Sequence, residues 1–275
     1  MNVEFDARVC YHVCDECISE IHVTVKSAER VLQLLEFFAD HRLPATVAEV
    51  SRRLGYPQSS TSMLLDTMVD LGYLHYEPQG RRFRPTLRVM LLGSWLQDEL
   101  FGEGSLVSAM DLVRRTSGQS VFVGFRQGVH VRLILALRGD RPTALDVRSG
   151  QIQSACLSSV GKMLLSLETD ADIARIARTA NAMEPNRARR VHVQSLVDEI
   201  RLSQARGWAE SHDYPSPAHS GIASLLPAVR GQPPLGLGLG TTTAIMQTDR
   251  SALVASLRHA CDDVQRLTSA PSRIA

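Results

Sequence analysis

Apolar residues in the first third of the chain recur at helical spacing in three short segments. The first covers Val25 to Phe38, with the sequence VKSAERVLQLLEFF, and Ser27 is placed to cap its start. After a polar break, Thr46 can cap a second short helix, and Gly55 can end it. The third segment begins after Pro57, a residue type common in the first turn of a helix. The pattern therefore predicts three amphipathic helices in succession.

The pattern changes after Gly72, which is expected to stop the third helix. The run YLHY at 73–76 and the run RRFRP at 81–85 flank the turn sequence EPQG at 77–80, as in a β-hairpin. Three helices followed by a hairpin predict a winged helix-turn-helix over residues 24–85. Helical spacing returns over Leu87 to Leu100 before a glycine-rich break, so we expect a linker helix over 86–103 that leads to a domain boundary.

Residues 104–270 predict one larger α+β domain, followed by a tail at 271–275. Predicted strands cluster towards both ends of this region and predicted helices lie between them, which favours an antiparallel sheet flanked by helices. The predicted strands are 120–126, 129–137, 143–148, a segment near Trp208, 222–226 and 235–241. The predicted helices are 105–116, 158–167, 170–179, 193–206 and 248–267.

Composition agrees with two packed domains, but the overall charge does not point to nucleic acid. The 275 residues are 44% hydrophobic and 21% charged, and the net charge is only +1. The distribution of charge is more informative than its sum. Gly80 to Arg88 contains four arginines and no acidic residue, so the predicted wing is a local cationic segment.

The first 23 residues are acidic and cysteine-containing, and we expect a disordered leader or an extension from an upstream start codon. Cys10, Cys14 and Cys17 have the spacing of thiolates that hold an iron-sulfur cluster, so a metal or redox sensor remains an alternative. No apolar run approaches the ~20 residues of a membrane helix, and the acidic start is unlike a signal peptide. We therefore expect a cytoplasmic protein without membrane contact.

Short polar residues at the start of the third helix are the candidate DNA contacts. In a helix-turn-helix such residues can contact base edges and phosphates from the major groove, while wing arginines can neutralise phosphates. A structural or protein-binding module is the alternative, since winged helices also serve in that way. The candidate DNA-binding residues are Gln58, Ser59, Ser60, Thr61, Ser62, Arg81, Arg82 and Arg84.

The order of motifs in both halves resembles that of IclR-family transcription regulators. The first half carries VKSAERVLQLLEFF, TVAEVSRRLGYPQSSTSMLLDTMVDLGYL and RFRPTLRVMLLG. In the second half, GQIQSACLSSVGKMLL at 150–165 resembles the family segment that ends in Thr-Ala-x-Gly-Lys-x-x-Leu. The sequence RGWA at 206–209 resembles the family's Arg-Gly-Tyr-Ala. The resemblance covers about residues 24–270, although Met63 stands where the family often has arginine.

The resemblance implies a transcription regulator that binds an operator in double-stranded DNA as a homodimer or homotetramer. It also implies a GAF-like second domain that binds a small organic acid or aromatic compound and so modulates operator binding. By position, Ser158, Ser159 and Val160 would offer main-chain N–H groups to an anion. The implied effector-binding residues are Ser158, Ser159, Val160, Ser211, His219, Gly221, Gly238 and Gly240.

Several of these positions depart from family members that bind a small oxo-acid. Where those members carry an aspartate, a cysteine and two serines, this chain has Ser211, Gly221, Gly238 and Gly240. Such a set suggests room for a larger or more apolar ligand, or no ligand at all. In the alternative interpretation, LGLGLG is a close-packed strand and the second domain is an interaction or oligomerisation module.

We expect no enzyme, no catalytic residue, no bound metal and no cofactor. The histidines of the second domain show no ligand spacing. Three consecutive residues, Ser211, His212 and Asp213, cannot form a hydrolytic triad, and we expect them in a loop. Lys162 follows a glycine but lacks the phosphate-loop pattern, so we expect it in helix packing or a surface ion pair.

Overall fold

The computed structural model describes residues 25–101, 105–229 and 231–268. Contacts divide the chain into two compact units after Arg88, a few residues beyond the predicted end of the winged helix. The predicted leader at 1–23 and the predicted tail at 271–275 lie outside the described residues.

The first unit is a winged helix-turn-helix, as the sequence predicts. Its three strands form an antiparallel sheet in the order β1-β3-β2, so that β1 adds a third strand to the expected hairpin. The elements are α1 (Lys26–His41), β1 (Ala45–Thr46), α2 (Val47–Leu54), α3 (Gln58–Asp70), β2 (Leu74–Glu77) and β3 (Arg82–Pro85).

Local capping determines where α2 begins and ends. The Thr46 side chain accepts the Glu49 N–H at 3.3 Å, and the Glu49 carboxylate accepts the Thr46 N–H at 2.7 Å, which completes a capping box. Gly55 then adopts a left-handed conformation with φ of 72° and ends the helix. At α1, by contrast, the predicted cap is wrong: Val25 precedes the helix and no side chain caps it.

The second unit contains a six-stranded antiparallel sheet with helices on both faces. The linker helix α4 (Leu87–Phe101) spans the division between the units. The strand order is β6-β5-β4-β9-β8-β7. The elements after α4 are α5 (Ser105–Ser117), β4 (Ser120–Gln127), β5 (His130–Leu137), β6 (Ile152–Ser154), α6 (Ser159–Leu165), α7 (Asp170–Met183), α8 (Val193–Arg206), β7 (Ala209–His212), β8 (His219–Leu225), β9 (Leu235–Thr242) and α9 (Thr243–Thr268).

Each face of this sheet has its own hydrophobic core. One core contains apolar side chains of α6, α7 and α8, and the other contains those of α5 and α9. Strand β9 contributes unequally to the two cores, because side chains alternate across a strand. Its leucines at 235, 237 and 239 face α5 and α9, whereas its glycines at 236, 238 and 240 face α6.

Two sequence predictions in this unit are wrong. The segment 143–148 was expected to form a strand, but β6 at 152–154 is the strand that pairs with the free edge of β5. Apolar residues of the expected strand, Ala144, Leu145 and Val147, are buried without strand pairing. Ser211 and His212, expected in a loop, lie in β7 and pair with β8. The apolar residues of 143–148 suggested a strand because they are buried, but they pack onto a core from an irregular segment.

The glycine face of β9 predicts a specific sensitivity to added volume. A Cβ at Gly238 would lie 2.6 Å from Val160 Cγ2, and the ring of Phe122 is equally close. We therefore expect Gly238→Ala to lower the free energy of unfolding by about 1–3 kcal/mol. Urea unfolding followed by tryptophan fluorescence measures this, since Trp95 and Trp208 both belong to the second unit.

Gly93→Ala is the matched control. Gly93 lies in the exposed part of α4, and a Cβ there would meet no atom within 4 Å. Because alanine favours helix more than glycine does, this variant should gain about 0.5–1 kcal/mol. Equal stability of the wild type and Gly238→Ala would show that the strand face is not close-packed.

Candidate functional site

Helix α3 has a buried face and an exposed face, and this division sorts the predicted DNA contacts. Thr61, Leu65 and Met68 are buried against the rest of the first unit. The Thr61 hydroxyl donates to the Pro57 carbonyl oxygen at 3.0 Å, and only 1% of the residue is exposed. The expectation that Thr61 contacts DNA is therefore wrong, because its side chain stabilises the start of α3 from the inside.

The other predicted residues of α3 reach the surface to different extents. Gln58 and Ser59 are exposed, whereas Ser60 and Ser62 are half-buried. The Ser62 hydroxyl lies 3.3 Å from a carboxylate oxygen of Asp66, one turn further along the helix. Sequence reasoning missed this exposed Asp66, although helical spacing from Ser59 and Ser62 would have placed it on the same face.

The three predicted wing arginines have different environments. Arg81 is exposed at the turn between β2 and β3, with φ of 49°. Arg84 lies 3.2 Å from a carboxylate oxygen of Glu77 in the paired strand. Arg82 is half-buried, and its guanidinium donates to the Pro44 carbonyl oxygen at 2.8 Å. Arg81 is thus the wing cation for which the described residues provide no ion-pair partner.

Arg82 also contributes to the electrostatics of the α2 capping box. Its Nη1 lies 4.0 Å from a carboxylate oxygen of Glu49. The pKa of the Glu49 carboxyl is lowered, first by the N–H of Thr46, then by the Thr46 hydroxyl, and further by the positive charge of Arg82. Arg82 therefore ties the wing to the start of α2.

In the second unit, three of the implied effector residues lie in one row across the sheet. Strand register places Ser211 beside Gly221, Gly221 beside Gly240, and Gly240 beside Ser120. The row faces α6, because a Cβ at Gly221 would lie 2.9 Å from the Ser159 hydroxyl oxygen. The sheet thus brings together residues from β4, β7, β8 and β9 that are up to 120 positions apart in sequence.

The N-terminal end of α6 lies opposite this row. Ser158 caps the helix: its hydroxyl accepts the Gly161 N–H at 3.1 Å and donates to the Ser154 carbonyl at 2.7 Å. Ser159 and Ser211 are 2% and 3% exposed. Within the described part of the chain, neither of these two hydroxyls has a hydrogen-bond partner, and both lie 2.9 Å from the Cβ position of Gly221. The hydroxyls of two buried serines therefore lie beside the same glycine.

The space over the glycines is filled by protein side chains. Phe122 and Val160 lie over Gly238, and Leu145 lies over Gly240, where its Cδ2 is 2.7 Å from the Cβ position. The expectation that Gly238 and Gly240 leave an open space is wrong for this conformation, in which side chains rather than a neighbouring backbone pack against both glycines. Val160 is a core residue here, fully buried against the strand.

The role of Ser120 in this region was beyond the reach of sequence reasoning. The Ser120 hydroxyl donates to the Leu145 carbonyl at 2.6 Å and accepts the Gly139 N–H at 3.0 Å, so it holds the irregular segment in place. The predicted effector residue His219 has its Nδ1 2.9 Å from the Ser216 hydroxyl, in the turn before β8. Only the strand register reveals that Ser120 belongs to the row.

Lys162 takes part in the packing interaction that the sequence suggested. It is 8% exposed, and its Nζ lies 2.6 Å from a carboxylate oxygen of Glu199 in α8. The same Nζ donates to the Glu210 carbonyl oxygen in β7 at 3.1 Å. Lys162 therefore joins α6 to a helix and to an edge strand.

Residues 25–101, 105–229 and 231–268 contain no helix long and apolar enough to cross a lipid bilayer. Over the same residues, no group of three or more His, Cys, Asp or Glu side chains is placed to hold a metal ion. The cysteines that suggested a metal or redox sensor, Cys10, Cys14 and Cys17, lie outside the described residues.

A helix-turn-helix with an arginine-bearing wing, followed by a separate α+β unit, defines the class of two-domain winged-helix regulators. The family model for the IclR helix-turn-helix domain matches residues 27–78. The model for the bacterial transcriptional regulator IclR C-terminal domain matches residues 105–266. The chain belongs to the IclR family of transcriptional regulators, and it is not an enzyme.

Similar proteins agree with this assignment. The HTH-type transcriptional regulator XynR of Escherichia coli is 20% identical over 188 residues, which cover 67% of this chain and 73% of XynR. TsaQ1/TsaQ2 of Comamonas testosteroni is 28% identical over 114 residues, 42% of this chain and 41% of that regulator.

Solved structures show the same fold. An IclR transcriptional regulator from Alicyclobacillus acidocaldarius has a TM-score of 0.76 at 21% identity, covering 88% of this chain and 98% of that one. An IclR homologue from Microbacterium hydrocarbonoxydans, solved in complex with 4-hydroxybenzoate, has a TM-score of 0.72 at 19% identity and covers 86% and 97%.

The contacts of Arg82 predict that it stabilises the first unit. We expect Arg82→Ala to lower the local unfolding free energy by about 1 kcal/mol, since it removes a hydrogen bond from a charged group to a main-chain carbonyl. Hydrogen exchange at the amides of α1 and α3 reports this unit separately. Arg81→Ala is the control and should change protection by less than about 0.5 kcal/mol. Equal protection in the two variants would contradict the role assigned to Arg82.

Proposed function

We propose that the chain binds an operator in double-stranded DNA through the exposed face of α3 and the wing, and that a small-molecule effector in the second unit modulates this binding. The observation that carries the DNA-binding part is the exposed Arg81, which has no ion-pair partner among the described residues, at the tip of a wing that follows a helix-turn-helix. Family membership supports the overall scheme.

The distribution of charge in the first unit indicates that the residues attracting phosphates lie outside α3. Helix α3, with the sequence QSSTSMLLDTMVD, contains no lysine, arginine or histidine. Attraction to phosphates must therefore come from outside it, and the exposed arginines Arg81 and Arg84 are available. Arg52 and Arg53, exposed in the last turn of α2, add further positive charge to this unit.

Apolar side chains of α4 support the proposed assembly as a homodimer or homotetramer. Leu87, Met90 and Leu91 are 78%, 66% and 62% exposed. Exposed apolar residues at this helical spacing are typical of a protein contact surface. Two copies of the DNA-binding unit would then bind two operator half-sites.

Salt dependence tests the DNA-binding part. With a random-sequence duplex, the logarithm of the affinity should fall steeply and linearly with the logarithm of the salt concentration. If Arg81 contacts one phosphate, Arg81→Ala should reduce the slope by about one unit per protomer. Arg148→Ala, which removes an exposed arginine of the second unit, should leave the slope unchanged. A full-length protein that binds no duplex at low salt would refute the proposal.

The buried hydroxyls of Ser159 and Ser211 support the effector part. Neither hydroxyl is hydrogen-bonded within the described part of the chain, so a polar group of a ligand could bond to both. The relative crystallised with 4-hydroxybenzoate suggests an aromatic or other organic acid as the class of effector. Because Leu145 covers the adjacent Gly240, an effector at this row would displace the irregular segment that carries Leu145.

Close packing over the glycines favours a second candidate, a second unit that binds no ligand and serves in oligomerisation or protein interaction. A thermal-shift screen of organic acids, beginning with 4-hydroxybenzoate, separates the two. An effector at about 100 times its Kd should stabilise the wild type by about 2.7 kcal/mol. No shift with any acid would favour the ligand-free candidate.

Once an acid is found, Ser211→Ala should weaken its binding up to about tenfold, since one hydrogen bond is lost. Ser220→Ala is the matched control: Ser220 is a buried serine of the neighbouring strand whose hydroxyl contacts Thr243 on the opposite side of the sheet. Isothermal titration gives both Kd values. An unchanged Kd for Ser211→Ala would place the effector elsewhere.

A further inference from the structure

The outward face of α3 combines one prominent apolar side chain with carboxylates. Thr61, Leu65 and Met68 define the buried face, so helical periodicity places Met63 and Asp66 on the opposite face. Met63 is 72% exposed, and Asp66 is exposed one turn further along. This is an unusual surface to present to a polyanion.

Met63 has an exposed side chain, which is not part of the hydrophobic core of the first unit. Its carbonyl oxygen accepts the Thr67 hydroxyl at 2.7 Å, but the side chain projects into solvent from the N-terminal half of the helix. Base edges are contacted from the N-terminal part of a recognition helix, and Met63 and Asp66 both precede the last turn of α3. The C5 methyl of thymine is the apolar group that bases present in the major groove, and it is the chemical match for Met63.

Asp66 selects bases by charge, whereas Met63 selects them by apolar contact. A carboxylate in the major groove is repelled by phosphates and by the acceptor atoms of guanine and thymine. It is favourable beside an amino group, and the cytosine N4 amino group is the donor with which aspartate pairs. The Ser62 hydroxyl, 3.3 Å from the carboxylate, helps to orient it.

We infer that Met63 and Asp66 determine sequence specificity, and that each operator half-site presents a thymine methyl to Met63 and a cytosine amino group to Asp66. The inference rests on the proposed function, because it takes α3 as the helix that enters the major groove. Affinity and specificity then have separate sources: the arginines attract any duplex, whereas α3 rejects most sequences.

A group substitution in the DNA tests the role of Met63. Duplexes bound by the full-length protein are selected from a random pool, and each thymine is then replaced in turn by deoxyuracil, which lacks the C5 methyl. At one position per half-site we expect about a fourfold loss of affinity, which equals about 0.8 kcal/mol. Met63→Ala should bind thymine and uracil duplexes equally.

Leu71→Ala is the matched control for this experiment. Leu71 is 54% exposed at the C-terminal end of the same helix, away from the end that contacts bases. This variant should retain the fourfold difference. Leu71 and Met63 are both exposed, so neither substitution by alanine should alter the melting temperature appreciably.

Asp66→Asn tests the cytosine contact, because asparagine pairs with adenine rather than cytosine. We expect selected sites to change from cytosine to adenine at one position per half-site, with about a tenfold change in relative affinity. Asp70→Asn removes the other exposed carboxylate of α3, in the last turn, and should leave the selected sequence unchanged.

The outcomes separate this inference from the proposed function. A wild-type protein that binds no duplex overturns both. Selected sites that tolerate uracil at every position, or that Asp66→Asn leaves unchanged, overturn the assignment of Met63 and Asp66 while the chain remains a DNA-binding regulator.

Discussion

Helix α6 can lie close to the six-stranded sheet because the strands beneath it lack side chains at the points of contact. Glycines at 221, 236 and 238 leave room for Ser159 and Val160, and the ring of Phe122 fills the remaining space. This approach buries every residue of α6. It also buries Ser159, so the row ending in Ser211 combines tight packing with two serine hydroxyls that have no hydrogen-bond partner among the described residues. Lys162 completes the arrangement by tying the same helix to α8 and β7.

A different constraint applies to the first unit, because the same few residues must form its core and leave a surface that can bind DNA. Its core is small, and a side chain that looks suitable for DNA can be needed inside it, as Thr61 is. Arg82 is a similar case among the wing arginines, because its guanidinium is used to hold the wing to α2. The residues left for contact with DNA are those that the fold does not use, and they are fewer than the composition of the segment suggests.

Periodicity and capping signals were sufficient to predict most of the elements. Thr46 and Gly55 bound α2 as expected, and the helix predicted at 193–206 coincides with α8. Secondary-structure predictions failed where a buried residue takes no part in strand pairing, as at Leu145. They also failed for the two-residue strand β1, which forms only by pairing with a distant strand. The candidate site was predictable only in part. Ser211 and Gly221 could be named from a resemblance, but Ser120 joins their row through a register that no local pattern contains.

The contact between Gly238, Phe122 and Val160 has a consequence for how this sequence can diverge. A side chain at 238 fits only if both the ring at 122 and the branched side chain at 160 become smaller or shift at the same time. Substitutions at these three positions, which are distant in sequence, are therefore coupled. A change at any one of them alone gives a less stable protein. Relatives that differ at position 238 should carry compensating differences at both 122 and 160, so the packing between helix and strand would appear in an alignment as correlated variation.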